Sequence, residues 1–321
     1  MNELPDYISD RGHGEISYSV PLQINDVTCY SFVLSADVRQ LQDFIDSQLN
    51  VVSGGAVTYT ALPFLFHSYL EALHCTSTSE TIGYLPDRES AFLVPLLQRT
   101  RGEMPSLKIW VPYLLIDQMS GMVTGREVWG YRKSIGSISL PANSHDPARF
   151  SAKTMLFKKF SNQTLGKIGT LLQVRSKSSI GEFTSIWDGF EHAFKEIIER
   201  TLGKIGGELA ELPEEVLASF LGKSHMPVIN LKQFRDAVDS TKACYQALVE
   251  SPCQLDKWTG GGLLSGEFEI EITTCDSHQI VSDLGLGQLG SGDSTVIQPL
   301  FGWWIQLNFS TLAGSIIWTA R

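Results

Sequence analysis

The sequence lacks most of the features that would assign a function directly. Its five cysteines, Cys29, Cys75, Cys244, Cys253 and Cys275, are odd in number and scattered, with no CxxC pair. That excludes a disulfide framework and a zinc site built on paired cysteines. They read instead as small buried or half-buried residues of a protein in a reduced compartment. The histidines form neither HxH nor HExxH, so no metal is expected. There is no GxSxG elbow, which argues against an α/β-hydrolase. Basic residues are scarce: 25 Lys and Arg against 35 Asp and Glu leave a net charge of −10. A general nucleic-acid binder needs the opposite balance, because phosphate binding relies on clustered cations. Apolar runs such as Leu62–Phe66 are far shorter than the roughly 20 residues that span a bilayer. The acidic start, Met1 to Asp6, has neither the basic end nor the apolar run of a secretion signal. The expectation is a soluble, cytoplasmic protein acting on a small molecule, with no cofactor, nucleic acid or membrane partner.

What is present is an ordinary globular balance, with 43% hydrophobic and 19% charged residues over 321 positions. No repeat, low-complexity tract or linker divides the chain, so one elaborated domain over 1–321 is expected. Residues 16–34 read as two strands and a turn at Asn25-Asp26, and Ser35-Ala36-Asp37 as the start of a short helix. Strands are expected within Val57–Tyr69, Phe92–Leu97 and Leu107–Ile116. Phe268, Ile270 and Ile272 alternate with glutamates, the pattern of a strand with one wet face. Phe301, Trp303, Ile305, Leu307 and Phe309 repeat that period; this stripe reads as core or subunit interface rather than a ligand platform. Between Phe183 and Leu221 the period changes to helical, predicting two helices broken at Gly206-Gly207. They read as an insertion serving packing or oligomer contact rather than a lid. Gly285 to Gly290 formally fits GxGxxG, but turn-forming residues follow it rather than a helix, so nucleotide binding is not expected. Gly260-Gly261-Gly262 reads as a flexible strand connection.

The most informative segment is Gly125-Arg126-Glu127-Val128-Trp129-Gly130-Tyr131-Arg132-Lys133-Ser134. It resembles the signature of the acetoacetate decarboxylase family, in which Gly-Arg-Glu and an aromatic precede Pro-Lys-Lys and the first of those lysines forms a Schiff base. Lys133 stands at that position. Glu89-Ser90-Ala91-Phe92-Leu93-Val94-Pro95 resembles the family's upstream segment, with Glu89 on its active-site glutamate. Val228 to Ser240, and the alternating strands after it, also follow the family order. The resemblance implies an α+β, β-rich fold with a cone-shaped antiparallel β-barrel around an apolar pocket, a homo-oligomeric assembly, and a cofactor-independent lyase.

The choice of lysine has its own physical reason. A primary amine condenses with a ketone to an iminium, which draws electrons from a breaking C–C bond. The amine must be neutral to attack, whereas an ordinary lysine, with a pKa of about 10.4, is protonated at neutral pH. A depressed pKa is therefore expected at Lys133, the activation for which acetoacetate decarboxylase is itself the standard example. Here the family's Pro-Lys-Lys reads Arg132-Lys133-Ser134, so burial by Trp129 and Tyr131 is expected to replace the second lysine. The family's N-terminal arginine falls near Asp26 or Val27, which removes a carboxylate anchor. Arg126 is the candidate substitute, although it also reads as a structural residue of its turn, and Trp129, Tyr131 and Arg132 are further substrate-binding candidates. Glu89 is expected to orient substrate or manage protons. Decarboxylation of a β-keto acid is the leading expectation. Aldolase or dehydratase chemistry through the same iminium, and a non-catalytic binding or assembly protein on the same fold, remain as alternatives.

Overall fold

A computed structural model describes residues 4–8, 17–141, 147–179, 184–205, 225–287 and 292–320. Two sheets make up most of it. In the larger, strands β1 (Leu22–Ser35), β3 (Phe64–Ser77), β4 (Leu85–Thr100), β5 (Ser106–Ile116), β10 (His225–Arg235), β11 (Ala243–Leu263) and β14 (Phe301–Thr311) pair in a closed ring. The ring order is β4-β3-β1-β14-β11-β10-β5, and β5 returns to β4. It is not antiparallel throughout: β10 meets β5 in parallel, over Val228↔Ile109 and Ile229↔Trp110 alone. β2 (Val57–Ala61) and β6 (Lys133–Ile135) extend it at β4 and β5, and β15 (Ser315–Thr319) pairs with β11. The second sheet has the order β13-β12-β9-β8-β7, formed by Ser294–Ile297, Phe268–Thr273, Lys167–Ser179, Pro147–Leu156 and Ser137–Ser139 respectively.

The period-2 alternation of each ring strand decides what sits where. One face of β1, β3 and β4 supplies Tyr30, Phe32, Tyr69 and Phe92 to the main core. There Phe150 of the second sheet meets Phe32 and Tyr69 edge-on or tilted, at centroid distances of 5.6 and 5.1 Å. The other face turns Cys29, Ser68, Leu70, Glu89, Ala91 and Leu93 into the ring.

Several local expectations change in the folded chain. The Asn25-Asp26 turn is a bulge within a single strand β1: Asp26 has φ +53°, and the register against β14 slips between Ile24 and Val27. Helix α1 (Val38–Ile45) begins as its sequence implies, with the Asp37 carboxylate accepting from the amides of Arg39 and Gln40 at 2.9 and 3.1 Å. The GxGxxG segment packs against that cap: the Asp37 amide donates to the Gly285 carbonyl at 2.7 Å, and residues 288–290 lie outside the described ones. Gly260–Gly262 is not a connection but part of the long strand β11. A Cβ on Gly261 would approach Trp187 to 2.9 Å, so the glycine is what lets the segment leading to α3 (Phe190–Ile205) lie flat on the strand. Of the two expected insertion helices, α3 forms as the periodicity predicts. The second, with Leu209, Leu212, Val216, Leu217 and Phe220, lies outside the described residues.

Candidate active site

The inward faces of the ring enclose a cavity of about 490 Å³. Its walls are overwhelmingly apolar. The stripe Trp303, Ile305, Leu307 and Phe309 lines it directly, which corrects the expectation that these side chains are only core or interface. Helix α3 turns Phe190, Ala193, Phe194 and Ile197 toward the same space, so this part of the insertion covers one end of the cavity rather than packing away from it.

Lys133 and Glu89 face each other in this wall. The Lys133 Nζ donates to Glu89 Oε1 at 2.5 Å, and the two side chains are only 12% and 19% exposed. Their meeting follows from topology. β6 lies parallel to β5 with Lys133 opposite Leu114, and Leu114 lies opposite Ala91, two residues along β4 from Glu89. The turn before β6 then aims the lysine. α2 (Met119–Thr124) runs into one turn of π-helix at Gly125–Trp129, a geometry often found at functional sites. Gly130 ends that turn with φ +85°, where a Cβ would come within 2.5 Å of the Lys232 backbone. A Cβ on Gly125 would lie 2.8 Å from Lys133 Cε and 2.9 Å from Cδ, so the first glycine of Gly-Arg-Glu is the bed on which the lysine stem rests.

The aromatic candidates take distinct places. Trp129 is buried, lines the cavity, and donates through Nε1 to the Leu312 carbonyl at 2.9 Å. Tyr131 also lines it; its ring centroid is 5.8 Å from Lys133 Nζ, and its hydroxyl accepts from Ser251 at 2.8 Å. The arginines are not there. Arg126 is exposed and donates to the backbone carbonyl of Lys133 at 3.0 Å, bracing the turn. Arg132 is exposed and donates to Gln48 Oε1 at 3.0 Å. Neither lines this cavity: Arg132 precedes β6 and is held by Gln48, and Arg126 points out of its helical turn.

A third ionisable group was not foreseen. Asp87 lies two residues before Glu89 on β4 and therefore on the same face, in the cavity wall. Its Oδ1 is buried without a hydrogen-bond partner. Burial, then the charge of Glu89, push the Asp87 carboxyl up to about 8, with Lys133 partly offsetting them. The sequence signal is the Asp-x-Glu spacing, which the strand expected over Phe92–Leu97 leaves outside it, whereas β4 begins at Leu85.

The electrostatics of Lys133 reverse the expected direction. Burial alone would lower its pKa and is the largest single influence, but Glu89 and Asp87 together raise it above the ordinary lysine value. Two carboxyls face the amine where burial by Trp129 and Tyr131 was expected to dominate, so the resting group is an ammonium paired with Glu89. Cys29, Cys75 and Cys253 also line the cavity. Burial pushes all three thiols up, Cys29 to about 12 and Cys253 to about 11, which keeps them protonated.

No protein-family model and no curated protein matches the sequence. Solved structures do match. An acetoacetate decarboxylase from Legionella pneumophila superposes with a TM-score of 0.60 at 12% identity, covering 99% of this chain and 93% of that one. An acetoacetate decarboxylase-like enzyme from Sphingomonas wittichii gives 0.58 at 12% identity over 97% and 98% of the two chains. The enduracididine biosynthesis enzyme MppR, complexed with pyruvate, gives 0.56 at 12% identity over 96% and 94%. The chain thus has the acetoacetate decarboxylase fold, over nearly its full length and at a sequence distance where little besides the fold is shared.

Proposed function

We propose that this protein is a cofactor-independent lyase that forms an iminium between Lys133 and a ketone and breaks or makes a C–C bond next to it. The observation that carries this reading is the Lys133 amine 2.5 Å from Glu89 in the wall of an otherwise apolar cavity. The ion pair is the stored form of the nucleophile. In a wet cavity the charges are solvated, but an apolar ligand that displaces the water makes charge separation costly. The proton then passes from Nζ to the Glu89 carboxylate along the existing hydrogen bond, leaving neutral amine and neutral acid.

The amine adds to the ketone carbonyl, and Glu89 returns the proton to the departing oxygen as water leaves and the iminium forms. The positive nitrogen accepts the electron pair of the adjacent C–C bond. In a β-keto acid that bond is to the carboxylate, carbon dioxide leaves, and an enamine remains. Protonation of the enamine carbon and attack of water on the resulting iminium release the ketone and restore the lysine.

Asp87 favours a second reading of the same intermediate. A buried carboxyl that titrates near neutrality, beside the first carboxylate, suits the successive proton transfers of aldol and dehydration chemistry better than simple decarboxylation needs. The MppR structures support this reading by analogy, since one is described as holding the condensation product of pyruvate and imidazole 4-carboxaldehyde.

The test is reductive trapping. With borohydride and a panel of ketones and 3-oxo acids, intact-mass and peptide analysis should place a substrate-derived adduct on Lys133, and Lys133→Ala should show none. Carbon dioxide release assigns decarboxylation, and trapping without it assigns aldol-type chemistry. Absence of any adduct across the panel, or turnover retained by Lys133→Ala, returns the protein to the class of non-catalytic binders.

A further inference from the structure

We infer that the ligand of this cavity is an elongated, uncharged-tailed ketone whose apolar chain runs from Lys133 toward helix α3. This rests on Lys133 as the amine that meets the carbonyl. A volume of about 490 Å³ falls within the roughly 300–1,000 Å³ of pockets for drug-sized ligands. At about 30 Å³ per water-sized group it has room for on the order of fifteen such groups. A four-carbon keto acid would leave most of that space to water held against apolar walls, and the site would forgo the transfer of that surface out of water.

The direction of the tail follows from the two ends. Toward α3 the walls are Phe66, Leu93 and Trp303 from the strands and Phe190, Phe194 and Ile197 from the helix. The opposite end, beside the start of β1, interleaves the hydroxyl-bearing side chains of Tyr18, Thr76 and Thr311 with Leu22, Ile24 and Phe309. The α3 face is built for the purpose: Phe190, Ala193, Phe194 and Ile197 fall at i, i+3, i+4 and i+7 and make one apolar stripe. Trp187 fixes the start of that helix through its fit over Gly261.

Charge limits the tail as well. Among the described lining residues the only Asp, Glu, Lys, Arg or His side chains are Asp87, Glu89, Lys133 and His225. Asp87, Glu89 and Lys133 lie together, so an ionic group at the far end of the tail would be buried among Phe, Trp and Ile with His225 alone of these side chains to meet it.

The experiment uses methyl ketones from 2-butanone to 2-undecanone at limiting concentration, with the borohydride adduct on Lys133 measured by mass spectrometry. Each added methylene should raise trapping about fourfold until the cavity is filled, the fold-change that corresponds to ~0.8 kcal/mol per buried methylene. Ala193→Trp, which fills the α3 end, should end the rise at shorter chains, and Phe194→Ala, which enlarges it, should move the optimum to longer ones. A flat series, or an optimum that neither variant moves, overturns the inference.

A separate readout keeps this apart from the Schiff-base reading. Neutral 1-aminoanthracene bound to wild type and to Lys133→Met should be displaced by 2-alkanols with the same dependence on chain length. Chain-dependent displacement without any trapping leaves the tail inference standing and removes the iminium. Trapping with no chain dependence in either assay removes the tail alone.

Discussion

The sharpest test of how this lysine is held is Gly125→Ala. The backbone there is ordinary helix, φ −60° and ψ −40°, so alanine meets no conformational strain. Alanine is also the better helix former, by about 1 kcal/mol. The added methyl group would nonetheless lie 2.8 Å from Lys133 Cε and 2.9 Å from Cδ, where ordinary contact begins at 3.4 Å. The backbone is not free to recede, because the Gly125 carbonyl accepts from the amides of both Gly130 and Tyr131. The lysine stem must therefore shift by at least about 0.6 Å, drawing Nζ out of line with Glu89. A displacement approaching 1 Å at a reacting group costs on the order of 10²-fold in rate, or about 2.7 kcal/mol of barrier. Gly125→Ala should thus slow trapping at Lys133 by about two orders of magnitude while thermal unfolding, followed by calorimetry, stays at or above the wild-type midpoint. Trapping at the wild-type rate would refute the claim that this glycine positions the amine. A large fall in the midpoint would show that the backbone, not the side chain, absorbs the methyl.

Asp87→Asn should remove a pH dependence of stability. Folded Asp87 keeps a proton that the unfolded chain releases above its ordinary value of 3.8, so wild-type stability falls as pH rises from there to about 8. The slope from this group is at most about 1.4 kcal/mol per pH unit. Urea denaturation between pH 5 and 8 should show a flatter profile in the variant, and an unchanged profile would mean that Asp87 is ionised in the folded protein. Arg126→Met and Arg132→Ala separate the observed placement from the expected one. Both arginines lie off the cavity, so the apparent affinity for a 3-oxo acid should change less than about threefold, whereas loss of a direct carboxylate contact would cost about 2 kcal/mol or more. Lys108→Met strands the buried carboxylate of Glu250, with which Lys108 is paired, and should destabilise the protein by about 3–5 kcal/mol. The double variant Lys108→Met with Glu250→Leu should recover much of that loss in the same denaturation assay.

The elements easiest to foresee were those whose pattern is local. Asp37 before an apolar face announced α1, the alternation of Phe268, Ile270 and Ile272 announced a buried strand face, and the helical period from Phe190 announced α3. What sequence could not supply was the other side of each surface. Trp303 to Phe309 reads as buried in either case, and only ring closure decides that those side chains face empty space instead of packed core. Lys133 and Glu89 were found through a resembling segment. Their 2.5 Å approach depends on pairings across β4, β5 and β6 that no short motif encodes. Asp87 is not evident from pattern because the apolar run that marks the strand starts at Phe92, whereas β4 itself starts at Leu85 and tolerates Pro86 near its first residues. The pKa of Lys133 moves opposite to the expectation because burial, which lowers it, is outweighed by the carboxylate of Glu89 together with Asp87.

The two buried lysine–glutamate pairs of the larger sheet show what makes one of them a candidate nucleophile. Lys108–Glu250 and Lys133–Glu89 both bridge strands of the larger sheet and are comparably shielded, with side-chain exposures of 7% and 15% against 12% and 19%. Burial and pairing therefore do not distinguish them. Lys108 points to the outer side of β5, whereas Lys133 borders the cavity. An electrophile can reach only the second. The cavity also supplies the means of activation, because an ion pair that is stable beside water becomes costly once an apolar molecule replaces that water. A small, strongly hydrated keto acid would leave water beside the pair and the amine protonated. Under the proposed mechanism a long apolar ketone would bring its carbonyl to the lysine and dry the pair in the same event, so the ligand that fills this cavity best would also be the one that frees the amine to react.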